Sequence, residues 1–385
     1  MSLGAGPANR RRAAVPLLAG LLAGIVVVST AVVATGGPAA TPTQAPPTVR
    51  SSIFACASIV EGLTPRERLA QRLMIGVDAA DPAATAELVR SAQVGGIFIG
   101  GDATALLRDG ALARVQRVAQ LPVAVAVDDE GGRVQRIDGL DGELPSARRM
   151  VATRTPEQVR DLGHTRGQQL AARGVTMDLA PTVDLGGQPR TAVIGDRAFA
   201  ADPAVVATYA GAFADGLRDA GVQPVLKHFP GHGRADGDSH RGRVTTPPLA
   251  QLRAADLLPY AELLGATPVG VMVGHLDVPD LTDGLPTSLT PATYTLLRED
   301  YRFDGLVLTD DLGAMKAVTG TFELPEAVER ALAAGADMAL WSTGGPVRPL
   351  LDSLEAALAD GRLDAAANEE AVERILSAKH VCGRA

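Results

Sequence analysis

Residues 155–184 read TPEQVRDLGHTRGQQLAARGVTMDLAPTVD, a stretch that holds a helix start, a helix stop and a short strand with a polar exit. Thr155-Pro156-Glu157-Gln158 offers an N-cap hydroxyl, a proline in the first turn and an amide at the capping-box position. Gly174 stands where a left-handed residue closes a helix. Thr176 to Ala180 is a β-rich apolar run, and Pro181-Thr182-Val183-Asp184 makes its end polar. The stretch is a helix handing over to a strand, the unit of a repeating βα design.

The same alternation continues on both sides, from Thr64 to His380. Its apolar runs are Leu73 to Val77, Gly96 to Ile99, Val123 to Val127, Thr176 to Ala180, Val222 to Leu226, Val269 to Val273, Gly305 to Leu308 and Asp337 to Trp341, eight in all. Thr64-Pro65-Arg66-Glu67 repeats the helix-start pattern, while Gly221 and Gly335 repeat the closing glycine. Eight units with no nucleotide-type glycine motif predict an α/β fold, a single closed (β/α)8 TIM-type barrel. An open doubly wound sheet is the alternative.

The ends of the chain differ from its body. Arg10, Arg11 and Arg12 precede a charge-free apolar run from Ala13 to about Ala34, the order of an export signal or a membrane anchor. Residues 1–35 are read as that segment and 36–50, rich in Pro, Thr and Ala, as a disordered linker. The catalytic body is expected over 51–385, with an extracytoplasmic, cell-wall-facing location. Cys56 and Cys382 flank the first and last helices of that body. In an oxidising compartment they pair as a disulfide tying the ends together; two free thiols, or lipidation of Cys56, are the alternatives.

Composition narrows the ligand. Net charge is −8 and aromatic residues make up 3% of the chain, so neither the basic footprint nor the stacking platforms of a nucleic-acid binder are present. A neutral, sugar-like ligand fits better than a polyanion. The expected partner is a small glycan, with no nucleic acid and a membrane reached only through the N-terminal segment; the protein is expected to act as a monomer.

Reaction sites in such barrels lie at the C-terminal ends of the strands, and the polar residues concentrate there. The third run leads into Asp128-Asp129-Glu130-Gly131-Gly132-Arg133, the fifth into Lys227-His228-Phe229-Pro230-Gly231-His232-Gly233, the sixth into His275 and the seventh into Thr309-Asp310-Asp311. Cleaving a glycosidic bond with retention needs a carboxylate to attack the anomeric carbon and a proton donor for the leaving oxygen. Asp310, directly after an apolar strand, suits the first role and is preferred to Asp311 because it is nearer the strand. His240, two residues after Asp238, suits the second, since a carboxylate fixes the imidazole tautomer and stabilises its charged form. The His and Asp residues between His228 and His240 are also conceivable metal ligands, but no metal-site spacing such as His-Glu-x-x-His is present. Neither a metal nor an organic cofactor is expected.

These residues resemble the β-N-acetylglucosaminidases of glycoside hydrolase family 3, across the whole barrel. The most specific element is Lys227-His228-Phe229-Pro230-Gly231-His232-Gly233 followed by Asp238-Ser239-His240; Asp128-x-Glu130-Gly131-Gly132-Arg133-Val134-x-Arg136, Ile194-Gly195-Asp196-Arg197-x-Phe199 and Thr309-Asp310 add to it. The resemblance implies that Asp310 is the nucleophile, His240 the acid/base and Asp238 its orienting partner. It further implies that Asp128, Arg136, Arg197, Lys227 and His228 hold the terminal sugar. Arg197 pairing with Asp196, His275 buttressing the strand ends, and Glu130 serving the backbone turn are the structural alternatives. The chain departs from the family pattern at Thr191-Ala192 and at Arg243-Val244, both near the expected rim. No second domain is expected after the barrel, so barrel loops complete the site, with Asp236 to Val244 as a mobile lid. The function implied is a retaining exo-β-N-acetylglucosaminidase acting on peptidoglycan-derived fragments. Phosphorolysis on the same scaffold and a non-catalytic wall-glycan receptor are the rival readings.

Overall fold

Eight parallel strands pair each with the next, and the eighth returns to the first. They are β1 (Leu73–Val77), β2 (Gly96–Ile99), β3 (Ala124–Val127), β4 (Met177–Asp178), β5 (Gln223–Phe229), β6 (Gly270–Val273), β7 (Val307–Asp311) and β8 (Met338–Trp341). This computed structural model describes residues 50–382, with side chains from Cys56 onward. The expected export or anchor segment at 1–35 and nearly all of the 36–50 linker lie outside the described residues. The closed barrel is the expected fold, and the open sheet is excluded.

Side chains alternate between the two faces of each strand, and the alternation sorts the core into two parts. Met74, Phe98, Ala124, Ala126, Met177, Val225, Met272, Leu308, Met338 and Leu340 pack together as one cluster inside the barrel. Their neighbours Ile75, Ile97, Val125, Val271, Val307 and Ala339 belong to the outer cluster, under the helices. The interior is therefore plugged by apolar side chains, and nothing large passes through it. Gly96 leaves room for that plug, because a Cβ there would lie 2.9 Å from the Met74 methyl.

Helix ends follow the sequence signals. Thr64 and Thr155 each form a complete capping box, and Gly174, at φ 91°, closes helix Pro156–Arg173 in the left-handed region. That helix packs closely on helix Pro203–Asp219: a Cβ on Gly163 would lie 2.5 Å from the Phe213 carbonyl, and one on Gly216 2.2 Å from that of Arg160. The N-terminal end of the barrel is closed by charge. Arg298 and Arg374 converge on buried Asp337 at 2.7 and 2.9 Å. Cys56 and Cys382 are joined, with Cα atoms 5.3 Å apart, beside Val60, Val372 and Leu376.

Three strands depart most from the expected runs, while β3, β6 and β8 each begin one residue later. β4 forms a regular ladder only over Met177–Asp178, shorter than Thr176 to Ala180, while single bonds continue past it: the Leu179 amide donates to the Val127 carbonyl, and the Ala180 and Pro181 carbonyls accept from the Val225 and Lys227 amides. β5 and β7 instead run on to Phe229 and Asp311, so that Lys227, His228 and Asp310 lie within strands and not after them. Polar residues suggested a strand end, but at the mouth of a barrel a strand continues while its inward side chains turn from apolar to charged.

Candidate active site

Inward alternation carries the apolar plug directly into the polar site. On β3 the inward positions Ala124 and Ala126 lead to Asp128; on β5 Val225 leads to Lys227; on β7 Leu308 leads to Asp310. Pairing shifts register between Leu226 and Phe229 and between Leu308 and Asp311, so both strands carrying these groups are irregular where the site begins. The cavity has a volume of about 370 Å³, with Phe98, Leu179, Met272 and Leu340 as its floor. Asp128, Arg136, Arg197, Lys227, His228, His240 and Asp310 all line it. The expected site residues thus meet in one place, Asp238 standing behind His240.

The two adjacent carboxylates of β7 have different work. Asp310 accepts the Asp311 amide at 2.9 Å on one oxygen, leaving the other without a protein donor among the described residues. Burial raises its proton affinity, but the neighbouring His228 and His275 imidazoles, the Asp311 amide and the Lys227 ammonium together outweigh this and hold it below the usual carboxylate range. Asp311 accepts the amides of Gly313, Ala314 and Ser342 on a single oxygen and shapes the turn after the strand. Asp310 thus offers a free oxygen from the inner wall of the barrel, on the strand that carries the apolar plug.

A charged network spans the other side. Lys227 Nζ lies 2.5 Å from both Asp128 Oδ1 and Glu130 Oε1, and Arg197 grips Glu130 through two bonds of 2.7 Å. Burial raises the proton affinity of Glu130, but Arg197 and Lys227 overcome it and hold the carboxyl far below its ordinary range. Burial lowers that of Lys227, but Asp128 and Glu130 keep the ammonium charged. Arg136 stands 3.8 Å from Asp128. Arg197 is therefore not paired with Asp196, which lies nearer Arg133 (3.7 Å) and Arg190 (3.6 Å). Nor is Glu130 a bystander of the glycine turn, because its carboxylate holds two cavity-lining cations in place.

Four imidazoles stand around the mouth. His228 Nδ1 lies 2.6 Å from Asp184 Oδ2, and its Nε2 faces Arg197 at 3.4 Å. His275 is braced between Ser288 Oγ at 2.7 Å and the Asp311 carbonyl at 3.0 Å. Burial pushes its pKa down, so the ring is neutral, donates to the carbonyl and accepts from the hydroxyl. This is the buttressing role. His240 Nδ1 stands 2.9 Å from Asp238 Oδ1, the same oxygen accepting the His240 amide at 3.0 Å, which leaves Nε2 free. The hydrogen bonds of His240 outweigh the burial of Asp238 and lower its pKa, so the dyad carboxylate is ionised. The His240 side chain is 55% exposed.

The loop carrying this dyad is pinned at its base, where Asp236 pairs with Thr245 and Thr245 with Asp277. It is also pinned in the middle: the Ala317 amide donates to the Ser239 carbonyl at 3.0 Å, and Ser239 Oγ lies 3.5 Å from Met315 Sδ. Asp184, His232 and Met315 were missing from the sequence reading as site members. Asp184 was visible at a polar strand end, but its grip on His228 depends on how two neighbouring strands align, which one strand's sequence does not contain.

A deep polar cavity over a plugged parallel barrel, with a buried carboxylate and a carboxylate-backed histidine, defines a glycosidase-type site. The model of the glycosyl hydrolase family 3 N-terminal domain matches residues 64–378, and the chain belongs to this family and is a glycoside hydrolase. It is 51% identical over 360 residues to the β-hexosaminidase LpqI of Mycobacterium tuberculosis, covering 91% of this chain and 92% of that one. A crystal structure of a family member from Mycobacterium smegmatis superposes with a TM-score of 0.80 at 50% identity, covering 83% of this chain and 98% of the other. A family 3 β-N-acetylglucosaminidase from Paenibacillus does so at 0.77 and 29% identity, over 84% of this chain and 64% of that one.

Proposed function

We propose that this chain is a retaining exo-β-N-acetylglucosaminidase that removes the terminal β-linked sugar from peptidoglycan-derived fragments outside the cytoplasm. The observation that carries this is the opening of Asp310 and of the Asp238-backed His240 onto one closed-bottomed cavity of about 370 Å³, a size suited to a single terminal sugar. The names of the relatives point to the same bond.

In the first step the free Asp310 oxygen attacks the anomeric carbon while His240 Nε2–H gives its proton to the departing glycosidic oxygen. The product is a glycosyl ester on Asp310 and a released aglycone. In the second, His240 Nε2 takes a proton from water, whose oxygen displaces Asp310 and regenerates both groups. Asp238 stabilises the imidazolium of each cycle. Asp128, Arg136, Arg197, Lys227 and His228 bind the sugar's polar groups, held in register by Glu130 and Asp184. Extracytoplasmic placement is supported by the basic flank and apolar run at the N-terminus and by the paired cysteines, which suit an oxidising compartment.

Product analysis tests the proposal. Incubation with GlcNAc-MurNAc fragments should release free GlcNAc, first as the β-anomer by proton NMR. Sugar 1-phosphate formed only when phosphate is present would mean phosphorolysis, and initial α-anomer would mean inversion.

A further inference from the structure

Among the histidines at the barrel mouth, His232 alone has no hydrogen-bond partner for its ring among the described residues. It is 3% exposed and lines the cavity, yet neither Nδ1 nor Nε2 finds a hydrogen bond. Leaving a buried polar group unpaired costs about 1–3 kcal/mol, so the fold keeps this ring in place against a penalty. The backbone shows how it is kept. The His232 amide donates to Asp184 Oδ1 at 2.6 Å, and the other oxygen of the same carboxylate holds His228. Glycines on either side allow the close approach: Gly231 has φ 132°, and a Cβ on Gly233 would lie 2.0 Å from the Leu185 carbonyl. Asp184 thus fixes two histidines at once, one by its ring and one by its backbone.

We propose that His232 is a sugar-binding residue whose ring nitrogens exchange hydrogen bonds with a neutral polar group of the bound pyranoside, a ring hydroxyl or the 2-acetamido group. Burial lowers its proton affinity, so the ring offers one donor and one acceptor. Hydroxyls and amides can answer both. Beside the charged groups of the wall, Asp128, Glu130, Arg197 and Lys227, His232 adds a neutral contact. The inference rests on the proposed glycosidase reading and deepens it.

The test compares wild type with His232→Phe, which keeps the ring's shape without its nitrogens, and with His232→Asn and His232→Gln. Aryl β-GlcNAc and aryl β-glucoside serve as substrates. His232→Phe should lower kcat/KM about tenfold, the worth of a hydrogen bond to a buried partner, with part of the loss restored in the Asn or Gln variant. A larger loss on the GlcNAc substrate assigns the contact to the acetamido group, and an equal loss assigns it to a hydroxyl. In wild-type protein labelled with ¹⁵N-histidine, the His232 ring resonances should move when GlcNAc saturates the site, a readout that needs no variant to fold. Unchanged kinetics in a folded His232→Phe protein, or ring resonances indifferent to saturating GlcNAc, would overturn the inference while leaving the glycosidase reading intact. A wild-type protein inert on both glycosides would overturn the two together.

Discussion

Asp310 and Asp311 are chemically alike and adjacent, and they differ only in what the backbone does with them. One follows Leu308 to the inside of the barrel and keeps an oxygen free, while the other spends an oxygen on two amides of the turn after β7 and on the Ser342 amide after β8. A polar residue after an apolar run was enough to select Asp310 and Lys227 as candidates from sequence, and the spacing from Asp238 was enough for His240. It was not enough for Glu130, whose glycine neighbours suggested a turn residue, or for His232, whose place in the cavity wall depends on Asp184 holding its amide. If His240 is the proton donor, His240→Ala should lower kcat by roughly 10²–10⁴-fold on sugars with poor leaving groups. Dinitrophenyl β-GlcNAc, which leaves without protonation, should lose far less in the first step, and a loss independent of leaving-group acidity would remove His240 from that role. Glu130 gives a stability prediction. Glu130→Gln leaves Arg197 and Lys227 without their shared anion and should lower the unfolding free energy by about 3–5 kcal/mol at neutral pH. Because the folded-state pKa of Glu130 is depressed, its contribution is complete above its unfolded value near ~4.3 and is lost as pH falls through the folded one. Denaturant titrations should therefore show the gap between wild type and variant narrowing only in acid.

At the scale of elements, caps and closing glycines were legible because they are local. Thr64, Thr155 and Gly174 need only their own few neighbours to act, and each acts as its pattern indicates. Strand limits were less legible, since a strand ends where its partner stops pairing. β4 pairs regularly over only two residues, and β5 and β7 are lengthened through the very residues that signalled an end. The cysteine pair shows a third case. The sequence offered an even count, with Cys56 expected just before the first helix and Cys382 just after the last; Cys56 instead lies within helix Arg50–Glu61, whose packing beside helix Ala365–Ala378 brings the two together across a separation of 326 residues. Replacing both with serine should lower the unfolding free energy by about 2–4 kcal/mol in urea titrations. Activity at moderate temperature should be retained, because neither cysteine lines the cavity. An unchanged urea midpoint would mean the link does not constrain the unfolded chain.

The whole molecule divides its labour along the barrel axis. Arg298 and Arg374 close one end on Asp337, methionines and other apolar side chains fill the middle, and the same inward positions become charged at the other end. Eight repeats were countable in the sequence, so the architecture was legible; the convergence of Asp128, Lys227, His228 and Asp310 on one cavity followed from closure of the sheet, which no single repeat reveals. The central claim is a covalent sugar on Asp310. Reaction with a slow fluorinated GlcNAc analogue, followed by peptide mapping with mass spectrometry, should find one sugar per chain attached to Asp310. Turnover with no trapped adduct, or an adduct on Asp311, Asp128 or any other carboxylate, would contradict it.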